Sequence, residues 1–125
     1  MAAKILIQGS VGRAVYGILA LLFPKLLAKS AGMDERDLDQ EARYFNRLFG
    51  GRDLLVAAAT VQAARAGELR NATAANLICE FTDTISAVQE LRARGKLDRT
   101  LVIGFAFNVF GYATWLRAAK ALRES

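Results

Sequence analysis

Four long apolar segments, separated by short charged pieces, constrain the fold of this chain more than any other feature. They cover residues 14–28, 54–64, 71–89 and 100–116. Their alanine and leucine content favours helix, and no sustained alternation of apolar and polar residues indicates a strand. The sequence therefore predicts an all-α fold in which residues 1–125 form a single four-helix bundle with short connections.

The connecting pieces indicate where the helices begin and end. Gly67 and Gly95 follow the second and third segments and suit the left-handed residue that often ends a helix. Asp34 or Asp37 is expected to cap the helix that carries residues 41–65. The connection 29–42, which contains the charged run DERDLDQE, is predicted to be the longest irregular piece.

Composition excludes several classes of protein. The chain has no histidine and a single cysteine, Cys79, so it lacks the commonest metal ligand, the commonest general base and any internal disulfide. We expect no metal site and no cofactor, because neither a ligand cluster nor a glycine-rich phosphate loop is present. The net charge of +5 suits an anionic surface. Basic and aromatic residues do not interleave, so nucleic acid is not an expected partner.

The hydrophobic content of 54% indicates a membrane protein, whereas the segment lengths alone do not require one. Soluble domains contain about 45–50% apolar residues even when glycine is counted. By length, only the uncharged segment 100–116 approaches the roughly 20 residues that span a bilayer. The uncharged runs between Arg13 and Lys25 and between Asp53 and Arg65 are short enough for core helices of a soluble bundle.

The third segment places its polar residues on one helical face. The polar set is Thr73, Asn76, Glu80, Asp83 and Thr84, and the apolar residues away from it are Ala74, Ile78, Phe81, Ile85 and Val88. In water, this pattern is typical of an amphipathic helix with a solvated face. In a bilayer, the polar face must turn inward, because acids exposed to hydrocarbon cost about 3 kcal/mol or more.

The stretch RLFGGRDLL, residues 47–55, supplies cations for such inward acids. Arg52 is the first candidate to pair with Glu80 or Asp83, and Arg47 is the second. Gly50 and Gly51 allow another helix or a ligand to approach closely. Asp53 lies about 100° further round the helix and is expected to face a different neighbour, such as Arg13. In the alternative interpretation, these residues form the solvated first turn of a helix, with Asp53 stabilised by the helix dipole.

The fourth segment contains one strongly polar side chain, Asn108. We expect it to hydrogen-bond between helices or to line a polar pocket. Tyr112 and Trp115, near the end of the segment, have the positions of anchors at a membrane surface.

The order of these features resembles a family of small bacterial proteins, common in actinobacteria, with four predicted membrane helices and no assigned function. The resemblance rests on Arg13 followed by GILALLFP, on RLFGGRDLLVAAAT at the second segment, and on the acids around Asp83. In that family, an Arg-x-x-Gly-x-Arg-Asp-like motif opens the second helix. The resemblance covers roughly residues 10–116 and implies an integral membrane protein of the cell membrane.

Three functions remain open at the level of sequence. The first is a small membrane protein that contacts membrane lipids and binds a partner protein, a second copy of itself or a lipophilic molecule. The second is a membrane enzyme in which Glu80 or Asp83 acts as general acid or base and Arg52 stabilises developing charge. The third is a soluble helical dimerisation module. The residues predicted to form a ligand site or a structural ion network are Arg47, Arg52, Asp53, Asn76 and Asn108.

Overall fold

The computed structural model describes residues 1–30 and 39–124, and all regular structure in these ranges is helical. The helices are α1 (Ala2–Leu22), α2 (Pro24–Ser30), α3 (Gln40–Arg65), α4 (Leu69–Arg94) and α5 (Arg99–Arg123). The all-α prediction is therefore confirmed for this part of the chain.

The first apolar segment forms two helices, so the described residues contain five helices where four were predicted. Phe23 leaves the helical conformation, with φ −132° and ψ 59°, and α1 ends before it. Pro24 has no backbone N–H to donate to the preceding turn, but it fits the first position of a new helix. At the other end, α1 begins at Ala2, well before the apolar segment. Sequence reasoning missed this half of α1 because it treated Arg13 as the boundary of a helix.

The helix termini carry the expected kinds of residue. Gly67 and Gly95 have φ values of +80° and +69°, which confirms their left-handed conformation. The N-cap of α3 is Asp39, whose carboxylate accepts a hydrogen bond from Ala42 N at 2.8 Å, so the assignment to Asp34 or Asp37 was wrong. Both of those residues, and most of the connection predicted over 29–42, lie outside the described residues.

Helix α1 packs against α3 and less extensively against α5, and α4 packs against α5 and less extensively against α3. Close approach of α1 and α3 depends on two glycines. A Cβ atom added to Gly50 would lie 2.7 Å from the Cβ of Ala20 and 2.7 Å from the carbonyl oxygen of Gly17. The close approach expected at Gly50 is therefore present, whereas Gly51 faces open space.

The interior contains both apolar and polar side chains, and many large apolar side chains are exposed on the surface. The buried apolar cluster lies at the end of the molecule where α1 begins, and it consists of Ile5, Leu6, Ala64, Ala72, Trp115 and Ala118. Buried polar side chains also occupy the interior: Ser10, Asp53, Thr60, Thr73, Asn76, Glu80 and Asn108. Large apolar side chains are exposed on all four long helices, including Val15, Leu55, Ile78, Phe81, Phe107 and Phe110.

Two helices of the described ranges, α1 and α5, are long and apolar enough to cross a membrane. The sequence had indicated only the segment within α5, because Arg13 interrupts α1.

Candidate functional site

The polar face of α4 turns toward the other helices. Thr73, Asn76 and Glu80 are buried, whereas Ile78 and Phe81 on the same helix are exposed. The face therefore points into the molecule at these three residues, whereas Asp83 and Thr84 of the same predicted face are half-buried.

The carboxylate of Glu80 is held by three donors from two other helices. Its Oε1 accepts hydrogen bonds from Arg13 Nη2 at 3.1 Å and from Trp115 Nε1 at 3.2 Å. Its Oε2 accepts a hydrogen bond from Asn108 Nδ2 at 3.1 Å. Gly111 makes room for this carboxylate, because a Cβ atom at that position would overlap the carboxylate atoms of Glu80.

Arg13 connects Glu80 to a second acid. Its Nη1 lies 3.3 Å from Oδ1 of Asp53, and the side chains of Arg13 and Asp53 are only 7% and 8% exposed. The contact between Asp53 and Arg13 that the helix geometry suggested is therefore present. Arg13 also lies over the ring of Trp115, with its guanidinium carbon 5.5 Å from the ring centroid.

Arg52 extends the charged contacts to the surface of the molecule. Its Nη1 lies 3.2 Å from Oδ1 of Asp83, and its Nη2 lies 3.3 Å from Oδ1 of Asp53. The side chains of Arg52 and Asp83 are 36% and 26% exposed. The ring of Phe49 covers one face of the Arg52 guanidinium at 4.3 Å. We call the five connected residues Arg13, Arg52, Asp53, Glu80 and Asp83 the ion network.

The pairing of Arg52 with Asp83 is present as predicted, whereas the cation expected for Glu80 is a different one. Arg52 pairs with Asp83 and Asp53, whereas the cation that pairs with Glu80 is Arg13. The pairing depends on how α1 is rotated about its axis, and periodicity within α4 does not report that rotation. Arg47 is exposed, and none of the described carboxylates lies within ion-pair distance of it, so it is not a member of the ion network.

Asn76 and Asn108 join the interior as expected, but through different contacts. Asn108 donates to Glu80, as described above. Asn76 Nδ2 donates to Thr60 Oγ1 at 2.9 Å and to the carbonyl oxygen of Ala72 at 2.8 Å. One turn after Glu80, the hydroxyls of Thr84 and Tyr112 lie 3.0 Å apart.

Sequence reasoning missed the interior role of Trp115. This residue was interpreted as an anchor at a membrane surface, but it is only 3% exposed, and its indole N–H donates to Glu80. The available signal was its spacing. Trp115 lies seven positions after Asn108, which is close to two helical turns, so both side chains leave α5 on nearly the same face.

The chemistry of the ion network follows from its contacts. Each of its three carboxylates accepts a hydrogen bond from at least one guanidinium. Among the residues that the structure describes, no group of three or more acidic or cysteine side chains is arranged to hold a metal ion. The arrangement is suited to joining helices, since Arg13, Asp53 and Glu80 belong to α1, α3 and α4.

No protein-family model, no curated protein and no solved structure matches this chain.

Proposed function

We propose that the protein is a small integral protein of the cell membrane in which α1, α3, α4 and α5 form a four-helix bundle. We further propose that it acts as a binding protein within the membrane, and that its partner is a second copy of the same chain. The observation that carries the proposal is the inverted distribution of side chains, with the ion network inside and large apolar residues outside.

The exposure of the most apolar helices supports residence in a bilayer. In α1 and α5, only 28% and 22% of the most apolar stretch is buried within the molecule. The core helix of a soluble protein would be buried over most of its apolar surface. Phe110 and Val109 on α5 are 74% and 69% exposed, and their neighbours in a bilayer would be acyl chains. Exposed apolar area of this extent is a feature of membrane and protein-binding surfaces.

The contacts of Arg13 indicate that α1 is part of the folded bundle. Arg13 bridges Asp53 and Glu80 from the middle of α1, and Gly17 on the same helix contacts Gly50. Removing α1 would leave two buried acids without this cation, which is costly in a medium of low dielectric constant. These contacts support a structural role for α1 within the bundle.

The face between α3 and α4 supports binding of a second copy. Arg52 and Asp83 lie near the middle of these two helices, and both are partly exposed. A charged pair exposed to hydrocarbon at that depth is unfavourable, so a protein surface is its expected cover. A two-fold axis through this face would bring Arg52 of one chain against Asp83 of the other and Asp83 against Arg52. The face is therefore complementary in charge to itself.

The contacts of Glu80 favour binding over catalysis. A general base needs a lone pair that is free to reach substrate. Both oxygens of Glu80 already accept hydrogen bonds from Arg13, Trp115 and Asn108. Asp83 is held by both terminal nitrogens of Arg52. A structural ion network accounts for all of these contacts.

Membrane residence is tested by washing cell membranes with alkaline carbonate. An integral protein stays in the sedimented membranes and needs detergent to be extracted. Release into the carbonate supernatant, together with a monodisperse protein in buffer without detergent, would refute the proposal and favour the soluble dimerisation module.

Dimerisation is tested by light scattering of the protein in detergent, which should show two chains per particle. The informative variant is Arg52→Leu with Asp83→Leu, because it removes the exposed pair and leaves the Arg13 contacts in place. Replacing both members of a pair with apolar residues generally preserves stability. We expect a folded monomer. A wild-type protein that is already monomeric, or a double variant that stays dimeric, would refute the proposed interface.

A further inference from the structure

A groove with a volume of about 340 Å³ lies where α1, α2 and α3 meet. Three cations line it: Lys25 at the start of α2, and Arg43 and Arg47, which are one turn apart on α3. Its apolar walls include Leu22, Phe23 and Leu26, which are 66%, 55% and 61% exposed. The groove is separate from the ion network, and neither the proposed bundle nor the proposed dimer interface uses it.

The positive charge of this groove has no paired acid among the residues that the structure describes. Within residues 1–30 and 39–124, no carboxylate lies within ion-pair distance of Lys25, Arg43 or Arg47. Arg94, by contrast, pairs with both Glu90 and Asp98. Three cations around one concave surface, none of them paired within the described residues, create a strong local attraction for an anion.

The position of the groove identifies the chemistry of that anion. It begins at Leu22, the last residue of a helix long enough to span a bilayer. If α1 spans the membrane, this level coincides with the phosphate groups of the lipids. One arginine guanidinium can donate two parallel hydrogen bonds to a phosphate group. Basic pockets between membrane helices bind the anionic headgroups of lipids. The exposed Leu22, Phe23 and Leu26 are then positioned beside acyl chains.

We propose that this groove is a binding site for one anionic phospholipid. Lys25, Arg43 and Arg47 bind the phosphate and neighbouring headgroup oxygens, and the apolar wall contacts the first methylene groups of an acyl chain. This inference rests on the proposed membrane residence.

The test is a titration of the full-length protein in neutral detergent with phosphatidylglycerol, with the melting temperature as the readout. Phosphatidylcholine in a parallel titration reports the effect of a lipid without net charge, and glycerol phosphate reports a free phosphate. We expect phosphatidylglycerol to raise the melting temperature and to saturate, and the other two compounds to have little effect.

The variant Arg43→Gln with Arg47→Gln removes two of the three cations. Its matched control is Arg117→Gln with Lys120→Gln, because these residues are exposed and lie on α5 near the opposite end of the molecule. We expect half-saturation by phosphatidylglycerol to require about tenfold more lipid in the first variant and to be unchanged in the control.

Three results would overturn the lipid site. The first is that phosphatidylcholine raises the melting temperature as much as phosphatidylglycerol does. The second is that the control variant loses as much affinity for phosphatidylglycerol as the groove variant does. The third is that glycerol phosphate alone gives the full rise in melting temperature. The last would assign the groove to a free phosphate ester. A protein that is not integral to the membrane is recognised separately, because alkaline carbonate would release it from cell membranes before any lipid titration.

Discussion

Arg13 and Glu80 are 67 positions apart in the sequence, and the Nη2 and Oε1 atoms of this pair lie 3.1 Å apart in the interior. Their side chains are only 7% and 10% exposed. Because the other terminal nitrogen of Arg13 contacts Asp53, one guanidinium joins α1, α3 and α4. Arg13 is therefore the residue on which the ion network depends most.

Replacing Arg13 with alanine should destabilise the protein more than any other single change in the ion network. Removing one partner of a buried pair typically costs about 3–5 kcal/mol, because the remaining charge stays buried. Arg52→Ala should cost less, because Asp53 keeps its contact with Arg13 and the side chain of Asp83 is not fully buried. Thermal unfolding of both variants in detergent measures the difference. If Arg52→Ala melts at a lower temperature than Arg13→Ala, the ion network does not depend most on Arg13.

The double variant Arg13→Leu with Glu80→Leu should recover part of the stability that Arg13→Ala loses. No unpaired charge remains from that pair, and Asp53 retains its contact with Arg52. Recovery should be incomplete, because Asn108 and Trp115 lose the acceptor of their hydrogen bonds. If the double variant is no more stable than Arg13→Ala, the two residues are not energetically coupled.

Gly50 and Gly51 are adjacent, but their substitution should have opposite consequences. A Cβ atom at Gly50 meets Ala20 and the backbone of Gly17, so Gly50→Ala must separate α1 from α3. Overpacking of this kind typically costs about 1–3 kcal/mol. Gly51→Ala meets no atom within 4 Å and should be neutral or slightly stabilising, because alanine favours helix. Equal melting temperatures for the two variants would show that α1 and α3 are not in close contact here.

Gly111 and Gly104 give a similar comparison on α5. The Cβ atom of Gly111→Ala would collide with the Glu80 carboxylate, whereas a Cβ atom at Gly104 has no atom within 4 Å. We expect Gly111→Ala to disturb the environment of Trp115, which shares that carboxylate, and to shift its fluorescence. The chain contains one tryptophan, so the signal is specific. An unchanged spectrum in Gly111→Ala, or an equal shift in Gly104→Ala, would contradict the position assigned to Glu80.

The fold class and one face of the candidate site could be predicted from sequence, because both depend on local periodicity. The spacing of Asn76, Glu80 and Asp83 is enough to place them on one face of α4. The partner of Glu80 could not be predicted, since it depends on the rotation of α1 and on its register against α4. Trp115 was misplaced for a similar reason. Its aromatic type suggests a membrane surface, but the hydrogen bond to Glu80 draws it inside.

The N-cap of α5 should make stability depend on pH. The backbone N–H of Leu101 and the side chain of Arg94 both hydrogen-bond to Asp98, and they lower the pKa of this carboxyl below its ordinary value of 3.8. The resulting stabilisation is present above that value and is lost as the pH falls through the lower pKa of the folded protein. Asp98→Asn keeps a capping side chain but not the charge. The difference in melting temperature between wild type and Asp98→Asn should therefore be larger at pH 7 than at pH 2. A constant difference would contradict this.

The accessibility of spin labels in lipid bilayers tests the central claim most directly, namely that the ion network faces inward and the apolar surface faces lipid. Labels are attached to single cysteines at Val15, Leu55, Phe81 and Phe110, which are exposed residues near the middle of the four long helices, with Cys79 replaced by alanine. The account predicts weak relaxation by a water-soluble nickel chelate at all four sites. It predicts strong relaxation by oxygen, which dissolves in lipid, at Val15, Phe81 and Phe110, because Leu55 lies one turn from Arg52 on the proposed dimer face. Strong relaxation by the nickel chelate at any two of these helices would show that they face water and would contradict a bundle of four membrane-spanning helices.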